Sequence, residues 1–134
     1  MAGYSGTPLV KKLGIRPGMR VRPQDPPVPY AQLVPDLPRD LTLSAALRSD
    51  VDLWHLFARS RKQLAAALPK ALAAIARDGT IWVSWPKKAS GVATDVTEDT
   101  VRELALPLGL VDVKVCAVDD TWSGLKLVIR KELR

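Results

Sequence analysis

Two short apolar runs, Val51–Phe57 and Thr80–Trp85, constrain this chain more than any other feature. Each is apolar at nearly every position, which is how a strand covered on both faces reads. Between them the period changes. Leu64, Leu68, Leu72 and Ile75 recur at helical spacing and make one apolar stripe. Ser60 and Gln63 form an S-x-x-Q capping box at its start, and Gly79 stands where a left-handed residue would end it. Pro69 falls inside this helix. An interior proline costs about 3 kcal/mol, so a bend or two abutting helices is expected there.

The same logic continues to the C-terminus. Pro86 stops the second strand, and a polar loop runs to Asp95. Thr97 caps a second helix, with Glu98 and Asp99 in its first turn where the dipole favours acids, and Pro107 and Gly109 close it. Leu110–Val118 then alternates, with Val111, Val113, Val115 and Ala117 on one face. Gly124–Lys131 alternates too, and residues 119–123 link the two as an antiparallel hairpin. Strand, helix, strand, helix and hairpin make one α/β domain over residues 1–134, with a largely parallel sheet. Its expected core includes Leu68, Leu72, Val83, Val113 and Leu127.

The N-terminal half carries weaker signals. Residues 1–12 read as loosely ordered, and Met19–Arg22 as a short strand. Six prolines between Pro23 and Pro38 exclude long regular structure. A short helix fits at Tyr30–Val34, and Leu41–Leu47 is ambiguous between a strand and a helical turn. Residues 22–29, Arg-Pro-Gln-Asp-Pro-Pro-Val-Pro, contain no glycine. A dinucleotide-type site needs glycines there so that the backbone can approach its ligand, and an acid after the second strand. Asp36, Asp40 and Asp50 lie in a region too irregular to supply that acid by pattern. No cofactor is expected, and no working S-adenosylmethionine site.

Composition narrows the setting. No apolar run approaches the roughly 18 residues of a membrane span, and residues 1–6 show no secretion signal. Cys116 is the lone cysteine and reads as a small core hydrophobe. These features together fit the cytoplasm. The single histidine, His55, sits inside an apolar strand and reads as a hydrogen-bonded core residue; with one His and one Cys, metal binding is not expected. Asp119 and Asp120 read as turn formers. Of four tryptophans, Trp54, Trp82 and Trp85 fall in core strands, while Trp122 is either exposed or folded back over the sheet.

Two places could bind an anion. Trp85, Lys87, Lys88 and Ser90 follow the carboxyl end of a parallel strand, the edge where such sheets collect ligands. The competing reading is a solvated loop with Trp85 packed as core. The second place is the N-terminal flank. The net charge is +6, and residues 1–67 carry ten Lys or Arg against five acids, while residues 68–134 carry ten against nine. Lys11, Lys12, Arg16, Arg20 and Arg22 all precede the first acid, Asp25. Such a flank can gather phosphates, although a solvated face is the commoner meaning of bare charge.

Three segments together carry a likeness. Tyr4–Ile15 (YSGTPLVKKLGI), Trp82–Lys88 (WVSWPKK), and Val111–Val118 (VDVKVCAV) followed by Trp122–Arg130 (WSGLKLVIR) closely resemble a bacterial family, domain-of-unknown-function family three-zero-five-two. The resemblance implies a small Rossmann-like α/β domain, a shortened relative of class I methyltransferases. It implies no catalytic residue. The reading that follows is a non-catalytic cytoplasmic module binding a protein partner or a small anion. The alternatives are a nucleic-acid-associated protein using the basic flank, and a degenerate methyltransferase-like enzyme.

Overall fold

The computed structural model describes residues 6–134. In chain order the elements are α1 (Leu9–Leu13), β1 (Arg20–Gln24), α2 (Tyr30–Leu33), β2 (Thr42–Leu43) and β3 (Val51–Phe57), then α3 (Arg61–Ala74), β4 (Ile75–Pro86), α4 (Glu98–Ala105), β5 (Leu110–Ala117) and β6 (Trp122–Ile129). Six strands form one sheet in the order β2-β1-β3-β4-β6-β5. The first four run parallel, and β6 lies antiparallel between β4 and β5. This is the expected Rossmann-like α/β fold. Residues 1–5 of the stretch expected to be loose lie outside the described residues, whereas Leu9–Leu13 is helical and closes on Gly14 at φ 78°.

The central strands are buried on both faces, so each face needs its own cover. Trp54, Leu56, Ile81 and Val83 pack with Leu64, Leu68 and Ala71 of α3 and Val101 of α4 in one core. Leu53, Phe57 and Trp82 pack with Leu13 of α1 and Tyr30 of α2 in the other. Alternation along β3 and β4 sorts the residues between these two cores.

Local chemistry explains the helices, with corrections to the expected pattern. Ser60 Oγ accepts from the Gln63 N–H at 3.1 Å, as the box predicts. The reciprocal bond moves one residue back, because Gln63 Oε1 accepts from the Arg59 N–H instead. α3 runs through Pro69 as one element. Pro69 and Ala65, the residue whose carbonyl it cannot serve, both face outward where water can. The helix ends at Ala74, five residues before Gly79, and Gly79 is not left-handed. A Cβ at Gly79 would lie 2.9 Å from the carbonyl oxygens of Ala76 and Val51. Close backbone approach at the β3/β4 bulge therefore demands this glycine. On α4, Thr97 and Thr100 bond each other's backbone N–H, completing a cap.

The largest correction concerns β5. Val113 is 53% and Val115 48% exposed, so neither joins the core. β5 is an edge strand, and a bulge between Asp112 and Lys114 breaks its alternation. Before the bulge Val111 pairs with Val128; after it Val115 pairs with Leu125, on the opposite face. A slip of one residue turns every later side chain over. Leu72 is half-buried at the rim of the α3 core, while Leu68, Val83 and Leu127 are fully buried.

Leu68→Ala is expected to cost about 2–5 kcal/mol of unfolding free energy, as truncation of a buried leucine does. Val113→Ala is expected to stay within about 0.5 kcal/mol. Urea denaturation of both variants checks the assignment, and comparable losses would return Val113 to the core.

Candidate functional site

The sheet reverses its build direction between β1 and β3, with β2 added on one side and β4 on the other. Open α/β sheets hold ligands beyond the carboxyl ends of strands at such a switch point. Here that place is a cleft of about 530 Å³ between the loops after β1 and β3. Pro26 and Pro27 form one wall, Phe57 and Trp122 the other, and Arg59 and Gln63 reach in from the start of α3. Asp25 takes a left-handed φ of 54° as the chain leaves β1. Gln63 Nε2 donates to Asp25 Oδ2 at 3.2 Å and to the Phe57 carbonyl at 3.3 Å, tying the two loops together. Trp122 is buried and stands edge-on to Phe57, with centroids 5.4 Å apart. It has folded back over the sheet, one of the two alternatives the sequence leaves open. The Arg59 guanidinium lies 5.8 Å from the Trp122 ring centre.

The adjacent loop, after β4, holds the sequence-predicted residues. Trp85 is buried against the α3 core, and with Lys88, Thr94 and Thr97 it lines a second cleft of about 500 Å³. Lys87 and Ser90 do not line it. The Lys87 N–H donates to the Thr121 carbonyl at 2.7 Å, and Ser90 Oγ donates to the Lys87 carbonyl at 2.7 Å while accepting from Val92 N–H. These bonds shape the loop rather than offer free donors. Thr94 and Asp95 bond the Arg59 carbonyl, so the loops after β3 and β4 are joined. Arg59, Gln63 and Trp122 are the residues that sequence pattern misses here. They lie far apart in the chain, and only the strand order brings them together.

The basic flank splits. Lys11 and Lys12 lie on α1, and Arg16 follows it. Arg20 and Arg22 turn the other way, onto the loop before β3. Arg20 bonds the Ser49 carbonyl, Arg22 bonds the Leu47 carbonyl at 2.7 Å, and the Arg22 guanidinium stacks 4.1 Å from the Trp54 ring. Their charge supports local structure.

Under the first cleft lies a buried polar chain. His55 Nδ1 is 2.7 Å from Tyr30 Oη, and Nε2 is 2.7 Å from Ser84 Oγ. The ring stacks on Phe57 with centroids 4.2 Å apart. His55 is thus the hydrogen-bonded core residue its position suggests. Burial lowers its pKa to about 3 and raises that of Tyr30. The imidazole is neutral, so one nitrogen donates and the other accepts. Among the described residues no cluster of His, Cys, Asp or Glu could hold a metal ion, and no helix is long and apolar enough to cross a membrane.

Comparison with known proteins fits this frame. The sequence profile described as "Protein of unknown function (DUF3052)" matches residues 42–131. No curated protein matches the chain. Among solved structures, "The structure of LepI complex with SAM" superposes with a TM-score of 0.55 at 16% identity, covering 91% of this chain and 39% of that one. "A Pericyclic Reaction enzyme" gives 0.54 at 14% identity with the same coverage. The chain therefore spans about two fifths of the length of those structures, and the likeness is one of fold.

The depressed His55 pKa has a measurable consequence. A free histidine titrates near pH 6.5, and the folded protein holds this one neutral down to about pH 3. The unfolded chain binds the extra proton between those values. His55 therefore stabilises fully above about pH 6.5, and that contribution is lost as pH falls toward 3. The slope approaches about 1.4 kcal/mol per pH unit. Between pH 6.5 and 5, above most carboxylate titrations, His55→Gln is expected to be less stable than wild type yet to show a flatter pH dependence. Parallel slopes in chemical denaturation would contradict a neutral His55.

Proposed function

This chain belongs to the DUF3052 family of proteins of unknown function, and we propose that it acts as a non-catalytic cytoplasmic binding module that takes a small anion at the carboxyl edge of its sheet. The observation that carries this reading is the loop after β1. It occupies the place of a phosphate- or cofactor-cradling turn but is built from Asp25, Pro26, Pro27, Val28 and Pro29. Prolines at 26, 27 and 29 offer no backbone N–H. A nest of successive N–H groups, which such cradles use, cannot form from them. Asp25 adds a carboxylate at the entrance, engaged by Gln63.

LepI is described in complex with SAM. At 16% identity that supports a common fold for this chain and no shared chemistry. What the edge offers instead is cationic. Arg59 stands beside the Trp122 ring in one cleft, and Lys88 stands beside Trp85 in the next. A carboxylate or phosphate with an apolar body suits either, the charge meeting the cation and the body meeting the indole wall. Lys87 and Ser90 fix the loop that carries Lys88. His55 and Ser84 are sealed from both clefts and supply no nucleophile.

Calorimetry with S-adenosylmethionine is expected to show no micromolar one-to-one complex; such a complex would overturn the reading. A thermal-shift screen of phosphorylated and carboxylated metabolites is the positive arm. Lys88→Ala and Arg59→Ala should each melt close to wild type, because both cations are exposed and cost within about 0.5 kcal/mol to remove. At least one should lose the shift that the binding metabolite gives. Undiminished binding in both would place the site elsewhere.

A further inference from the structure

A second concentration of charge lies on the sheet face that carries α1, away from the clefts at the carboxyl edge. In the hairpin Lys114 stands directly opposite Lys126, and Lys126 stands opposite Trp82 of β4. Directly opposed side chains share a face, and like charges so placed destabilise a ladder. Lys114 Nζ is 6.0 Å from the Trp82 ring centre. The Trp82 indole N–H donates to the Leu13 carbonyl at 2.9 Å, which pins the end of α1 over the same face. That brings Lys12 and Arg16 in from the N-terminal flank. Burial, Lys114 and Arg16 together lower the Lys126 pKa, and the fields of Lys12 and Lys114 both reach the Cys116 thiol on this face.

Arg16, Lys114 and Lys126 form no ion pair with another described residue. A cleft of about 420 Å³ beside them is lined by Arg16, Lys126 and Arg134. Asp52 and Asp78 also touch that cleft, and Asp52 is engaged by the Arg20 backbone N–H at 2.8 Å. Three cations of this cleft and its border, Arg16, Lys114 and Lys126, thus come together from two distant segments with no described carboxylate paired to them, and such an arrangement gains when an anion arrives.

We propose that Arg16, Lys114 and Lys126 form a binding site for a compact polyphosphate, either free or as the phosphate tail of a nucleotide. Two features favour this class over a nucleic-acid strand. Every aromatic residue among those described is buried, so no ring is available on this face for bases to stack upon. The cations are also few and close, Arg16 and Lys126 lining one cleft and Lys114 standing directly opposite Lys126. The site is independent of the carboxyl-edge clefts, and its failure would leave that reading untouched.

The test is calorimetry on the full chain at low salt with inorganic tripolyphosphate, with adenosine triphosphate and with a single-stranded DNA 12-mer. Tripolyphosphate is expected to bind one to one. Lys114→Gln/Lys126→Gln should weaken it at least tenfold, while Lys62→Gln/Lys70→Gln, which removes the same charge from the exposed side of α3, should change it less than twofold. Relief of the opposed charges should leave the first variant melting at or above wild type. If it fails to fold, Arg16→Gln/Lys114→Gln, at two exposed positions, serves in its place. Equal affinity for tripolyphosphate and the nucleotide supports the site with free polyphosphate as its source; tighter nucleotide binding that is still lost in the variant supports it with a nucleotide. Absence of tripolyphosphate binding, equal losses in both double variants, or tighter binding of the DNA would overturn it.

Discussion

His55 sits at the point where the two halves of the molecule meet. Its ring bonds Tyr30, from the proline-rich segment, on one side and Ser84, from β4, on the other, each at 2.7 Å. The N-terminal segment has little regular structure of its own: α2 is four residues long and β2 two. It is positioned by apolar packing of Tyr30 and Val34 and by this bridge. Three buried polar groups satisfied by one another specify a single arrangement, because leaving any one unpaired costs about 1–3 kcal/mol. The position of Tyr30 in turn bounds the loop from Asp25 to Pro29, and that loop is one wall of the switch-point cleft.

The same economy appears at the end of β3. Gln63 caps α3 through its backbone, accepts from Arg59, and donates to Asp25 and Phe57. One side chain thus joins β1, β3 and α3 at the edge where ligands enter such sheets. Where a Rossmann domain with a cofactor would place glycines, this chain places prolines and a bonded carboxylate. The fold keeps the geometry of a ligand edge while the backbone donors are removed from it. In the function proposed here, binding falls instead to side chains, Arg59 and Lys88 on this edge and the opposed lysines on the α1 face.

Much of the C-terminal architecture was legible in the residues. Val51–Phe57 is bounded as its apolar run implies, and Ser60 and Thr97 cap the helices as their positions suggest. The apolar burial of Trp54, Trp82 and Trp85 follows from strand periodicity alone. These are local signals: a cap bonds within three residues, and a period of two or 3.6 needs no knowledge of the partner.

What the sequence could not decide was cover and neighbourhood. Alternation shows which β5 residues share a face, but whether a helix lies over that face depends on strand order, and a bulge at the edge turned the face over at Val113. The basic flank reads as one patch along the chain, yet in the fold Arg20 and Arg22 bond the loop before β3 while Arg16 lines a cleft with Lys126. Arg59 meets Trp122 only because β6 inserts between β4 and β5 and returns the hairpin turn to the carboxyl edge. Local structure follows from bonds and periods a few residues long, so the sequence determined it; the sites assemble from residues tens of positions apart, and their proximity is a property of tertiary packing alone.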